Sequence, residues 1–169
     1  MTEPERNLSD SLELHLAYLD YYRSEIENKL TGLSRTDLRS SRLPSGWTPL
    51  ELLKHLVFME RRWLRWGFAG EQVDQPWGDS AGGDPDGRWK VEPGETLPEL
   101  LALLHAGGEN TRSIVTGADT SAPGTVGGRF GADEQPTLNW ILFHVLQEYA
   151  RHAGHLDIAR ELSDGAAGE

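Results

Sequence analysis

The strongest constraint on how this chain folds lies in residues 138–162, LNWILFHVLQEYARHAGHLDIAREL. The stretch reads as one long helix with four groups able to bind a metal, His144, Glu148, His152 and His155. At about 100° per residue, His152 lies roughly 40° to one side of Glu148, with His155 about 20° and His144 about 40° to the other. All four fall within an arc of roughly 100°, the width of a buried stripe. Ile141, Val145 and Ala159 lie on or beside that arc. Asp157 lies roughly 180° from Glu148 and is expected to face solvent or a partner. The helix therefore points a carboxylate and several imidazoles inward. Inward polar groups cost free energy unless they are paired or hold a metal. The rest of the chain has to bury this cluster and complete it.

Three further helices are predicted upstream. Ser9 or Asp10 caps a first helix running to about Leu30, with an apolar stripe of Leu12, Leu16, Leu19, Ile26 and Leu30. His15 sits near that stripe and reads as a packed, hydrogen-bonded residue. Residues 31–44 read as a polar connection. The second helix has a strong start: Thr48 as N-cap, Pro49 as first residue and Glu51 closing a capping box. Leu52, His55, Leu56, Met59, Trp63 and Trp66 then follow at helical spacing, which turns His55 toward the core. A third helix opens with Thr96, Pro98 and Glu99 and presents Leu97, Leu100, Leu101, Leu104 and Ile114. Its Gly107–Gly108 pair is either a close helix–helix approach or a kink. His105 is expected to be structural. Pro136 and Thr137 start the fourth helix.

At 169 residues the chain fits a single domain, 1–169, with residues 1–8 frayed and 163–169 a polar tail. Residues 67–95 and 118–135 are rich in Gly, Pro and Asp and read as loops. The first is either a functional lid, with Trp77 and Trp89 as anchors over the core, or a plain crossover between distant helix ends. Within the second, GTVGGRFG resembles a short turn or hairpin. Four helices with one long connection between the second and third predict an all-α bundle with a crossover.

The formal charge of −11 repels phosphate backbones and argues against general nucleic-acid binding. No stretch approaches a membrane span, and no signal peptide is visible, so a cytoplasmic protein is expected. With no cysteine there is neither a Cys-based zinc site nor a Cys nucleophile. No phosphate-binding Gly loop or nucleophile elbow is present. The basic run at Glu60, Arg61, Arg62 and Arg65 reads as a solvated helix face. Six tryptophans are many for this length and are expected to pack the core or line a cavity.

Glu148 and His152 stand one helical turn apart on one face, and this spacing lets two side chains chelate one ion. His55 is able to supply a third ligand if the second and fourth helices are neighbours. Three N/O ligands leave an open position, the mark of a catalytic site. Zinc suits this set best, and nickel, iron or manganese are compatible with it. His155 and His144 are then groups that steady a ligand side chain or touch substrate, proton carriers, or packed core residues.

SGWTPLELLKHLVFMERRWLRWGFAG and HVLQEYARHAGHLDIARE resemble the second- and last-helix motifs of the DinB-like superfamily. The nearest branches are the actinobacterial mini-circle proteins and the helical domain of mycothiol-dependent maleylpyruvate isomerase. The resemblance covers nearly the whole chain. It implies a four-helix bundle of up-down-down-up topology with a divalent metal near one end. It also implies His55, Glu148 and His152 as the ligands, and it is compatible with a homodimer.

The resemblance further implies a metal-dependent transferase using a low-molecular-weight thiol, mycothiol in particular, on a small electrophile. Arg61, Arg62, Arg151 and Trp63 would then contact thiol or substrate, and His155 or His144 would carry protons. Two other readings use the same cluster differently. One is a hydrolase whose nucleophile is metal-bound water; the other is a non-catalytic metal-binding stress-response protein.

Overall fold

A computed structural model of the chain describes residues 2–74, 90–133 and 135–167. Trp77, Trp89 and most of the expected lid lie outside the described residues. Among the described residues the fold is all-α, with no strand and only isolated bridges at Pro123–Thr137 and Val126–Phe130. No helix among them is long and apolar enough to cross a membrane.

Local chemistry explains where each helix begins. In α1 (Ser11–Leu30) the Asp10 carboxylate accepts the Glu13 N–H at 2.9 Å. A single turn, α2 (Arg35–Leu38), follows within the stretch expected to be a polar connection. The Ser34 hydroxyl caps it, and Leu38 tucks into the core. α3 (Pro49–Arg61) starts on the predicted capping box, with Thr48 N–H to Glu51 at 2.8 Å. α4 (Leu97–Val115) starts on the other one, where Glu99 accepts both the N–H and the hydroxyl of Thr96. α5 (Leu138–Asp164) is capped by Thr137 and stops at Gly165, whose φ of 78° suits a residue without a β-carbon.

α3 does not end where the loop was expected to begin. Residues Arg62–Phe68 continue it directly as a π-helix. The chain at 124–130 lies flat on this segment. Thr125 N–H donates to the Phe68 carbonyl at 3.1 Å and Arg129 N–H to that of Trp66 at 3.2 Å. Glycine makes the approach feasible, since a β-carbon on Gly128 would stand 2.1 Å from the Trp66 oxygen.

Leucines dominate the core, where α1 packs on α5 and α4, and α3 packs on α4 and α5. The His15 ring meets Phe143 edge-on at 4.4 Å, and its Nδ1 lies 2.7 Å from the Ser11 carbonyl, as a packed histidine should. Asp157 finds its partner within the chain, an ion pair with Lys29 of α1. His105 is exposed and pairs with Glu27 at 3.2 Å.

The run from Glu60 to Arg65 is not a solvated face. Glu60 is 1 % exposed and Arg62 3 %. Glu60 accepts from Arg23 of α1, Thr111 of α4 and Tyr149 of α5, the last at 2.6 Å. Each long helix thus gives one side chain to a buried, fully paired carboxylate, the condition that lets a charge be buried at all. Burial, then the Glu60 charge, pushes the Tyr149 hydroxyl well above its ordinary pKa, so it stays a donor. Gly108 makes room for this network. A β-carbon on Gly108 would touch the Arg23 guanidinium, and α4 runs unbroken through the pair. Of the two readings for this pair, close approach is the one observed, and it falls at Gly108.

Candidate metal centre

Three donors converge from α3 and α5. His55 projects from the buried stripe of Leu52, Leu56 and Met59. Glu148 and His152 project from adjacent turns of α5. Glu148 Oε2 lies 3.3 Å from His152 Nε2 and 3.4 Å from His55 Nε2. One donor atom from each residue falls within 4.8 Å of the other two. Ligands at about 2.1 Å around a tetrahedral ion stand about 3.4 Å apart, so the donor set fits a single small cation. Both histidines are buried, and Glu148 is partly so. The neighbouring helices that the sequence required are therefore in contact.

Hydrogen bonding to His152, and then to His55, holds the Glu148 carboxyl far below the usual carboxylate range. It is ionised at any physiological pH. The His155 ring follows one turn on, with its Nδ1 3.1 Å from His152 Nδ1. That contact orients the His152 ring, whose other nitrogen faces Glu148. Burial, then the His152 and Arg151 charges, lowers the His155 pKa from its ordinary value. Trp47 closes this side, with ring centroids 5.8 Å from His155.

On the other side stands His144, its Nε2 3.9 Å from the second oxygen of Glu148. Its ring stacks on Trp140 at 5.2 Å and 6° and touches Trp63 at 4.4 Å. Beyond it opens a cleft of about 520 Å³ lined by Trp63, Trp66, Arg129, Phe130, Pro136 and Trp140. The Arg129 guanidinium lies 4.2 Å over the Trp63 ring. Of these, only Trp63 was singled out from sequence as a contact residue. Arg129 sits in a glycine-rich loop with no pattern of its own, and the high tryptophan count was the single signal pointing here.

None of the three arginines proposed from sequence lines that cleft. Arg61 reaches the Asp74 carbonyl at 2.6 Å and lines a separate cleft with Phe58, Leu103 and Gly107. Arg62 is buried at the start of the π-helix. Arg151 is exposed on α5 beside His152.

A family model described as MST, mycothiol-S-transferase, matches residues 14–165. The chain belongs to the mycothiol S-transferase family. That family is DinB-like, as the helix motifs implied. The match spans His55, Glu148 and His152 together with the aromatic cleft, so both lie inside the mycothiol S-transferase unit. No curated protein and no solved structure matched the chain.

Proposed function

We propose that this chain is a divalent-metal-dependent S-transferase that joins mycothiol to a small electrophilic molecule in the cytoplasm. The observation that carries the reading is the His55, Glu148, His152 donor set, spaced for one ion, in a chain of this family. Zinc is the cation that best suits two imidazoles and a carboxylate. Such an ion, when bound, lowers the pKa of a coordinated thiol and so supplies thiolate at neutral pH.

The chain's own residues do the rest. The donors carry one negative charge between them, so the loaded site keeps a positive charge and favours an anionic sulfur. His155 holds the His152 ring in orientation. His144 stands between Glu148 and the cleft, where it can take the thiol proton as the sulfur settles at the site and return it to the adduct, or to the departing group, once the C–S bond has formed. The buried walls of Leu52, Leu56 and Met59 exclude water behind His55.

The scaffold we propose is one up-down-down-up four-helix bundle over residues 1–169. Its support is the pattern of contacts. His15 meets Phe143 near the starts of α1 and α5, and Lys29 meets Asp157 toward their ends. His55 meets Glu148, while Trp63 meets the earlier His144. Glu27 meets His105, while the earlier Asp20 meets Arg112.

The test is thiol consumption by the metal-loaded protein across a panel of electrophiles. Conjugation that requires mycothiol and is lost in Glu148→Gln supports the reading. Turnover without thiol would point instead to hydrolysis, and no thiol-dependent conjugation across the panel would end the proposal.

A further inference from the structure

A row of four rings joins Trp47, just ahead of α3, to the donor cluster. Trp47 lies against His155, with centroids 5.8 Å apart and planes at 49°. His155 meets His152 edge-on at 5.1 Å. His152 meets His55 edge-on at 4.8 Å. The row thus leaves the chain at the start of α3, passes along α5 and returns to α3 at His55. It braces the two helices that carry the donors.

Trp47 is fixed on both sides. Before it, the Gly46 N–H donates to the Leu43 carbonyl at 3.0 Å and closes a turn. After it, Thr48 and Glu51 exchange the two bonds of the capping box. The indole itself packs on the edge of the core. His155 is the movable member of the row. Its ring is half-buried on α5. Among the described residues its side chain has one hydrogen bond, from Nδ1 to Nδ1 of His152 at 3.1 Å. Besides His152, Trp47 is the one ring it touches there. A helix-borne imidazole turns about two side-chain bonds, and a rotamer facing water is open to it unless a neighbour fills the space. Trp47 is that neighbour.

We infer that Trp47 is a positioning residue of the metal centre: it presses His155 against His152 and so keeps the His152 ring turned toward the ion. Its effect on the site passes through His155. The inference rests on the reading of His55, Glu148 and His152 as metal ligands.

The zinc affinity of the full-length protein, read by competition with a chromophoric chelator, tests it. Trp47→Leu keeps apolar bulk but removes the flat face, and should weaken zinc binding about five- to tenfold. Trp47→Phe restores a ring and should stay within about twofold of wild type. In a His155→Ala background, Trp47→Leu should cost nothing further, because the residue it acts through is gone. Trp47→Met repacks more readily and is measured beside the leucine variant, with circular dichroism as the check on folding. Affinity unmoved by Trp47→Leu, a loss as large in Trp47→Phe, or the same loss with and without His155 would each overturn the inference. So would loss of the fold in both the leucine and methionine variants, since Trp47 would then serve folding and not the site. Wild-type protein that binds no zinc ends the metal reading and this inference with it. Wild-type binding that the Trp47 variants match ends this inference alone.

Discussion

A β-carbon on Gly108 would stand 3.0 Å from the Arg23 guanidinium carbon. The guanidinium has no room to retreat, because Glu60 and Asp20 both hold it. Gly108→Ala should therefore destabilise the fold by about 1–3 kcal/mol despite alanine's better helix propensity. At Gly107 the nearest atom to such a carbon, Glu60 Oε2, lies 3.8 Å away, an ordinary contact. Gly107→Ala should then stabilise by up to about 1 kcal/mol. Urea unfolding of the two variants should move the midpoint in opposite directions.

The Glu60 network should behave as one unit. Glu60→Leu strands Arg23 without its main partner and should cost about 3–5 kcal/mol. Tyr149→Phe removes one donor to the charged carboxylate and should cost about 1.5–3 kcal/mol. A double-mutant cycle between Tyr149 and Thr111 reads the coupling through Glu60.

Metal content separates ligands from neighbours. Wild-type protein dialysed after zinc loading should retain about one ion per chain. His55→Ala, Glu148→Gln and His152→Ala should each abolish retention while helicity stays. His155→Ala should keep the site and weaken affinity about 10–100-fold, because it acts through the His152 ring. Retention unchanged in Glu148→Gln would place the ion elsewhere.

The α4 cap gives a pH-dependent signal. The Thr96 hydroxyl, then its N–H, holds the Glu99 carboxyl below its ordinary value of 4.5. A carboxylate depressed in the folded state adds stability above its unfolded pKa and loses it as pH falls through the folded one. The Glu99 carboxyl carbon should titrate by NMR below that ordinary value. Thr96→Ala should move its midpoint upward.

The parts of the site that were legible were those encoded by local periodicity. His55, Glu148 and His152 could be read because each repeats with the apolar stripe of its own helix, and the Thr48 and Thr96 capping boxes fixed where helices begin. The buried carboxylate could not be read this way. Glu60 opens a run of charges, and nothing local distinguishes it from a solvated residue. Its partners lie 37, 51 and 89 positions away. Arg129 was hidden for the same reason, since it reaches the cleft only because Gly128 lets its loop lie against the helix. The single-turn α2 was missed because four residues carry too little pattern to show a period.

A π-turn holds one residue more than an α-turn. Excising a single residue from Arg62–Phe68 would restore the α ladder and rotate everything beyond it. Upstream of that point His55 would keep its heading, whereas Trp66, the seat of the loop and the cleft wall would swing away. One inserted codon is thus enough to separate the part of the helix that carries His55 from the part that shapes the cleft. Within a lineage, the pocket can be redrawn or erased by a one-residue insertion or deletion while the donor cluster passes on unaltered.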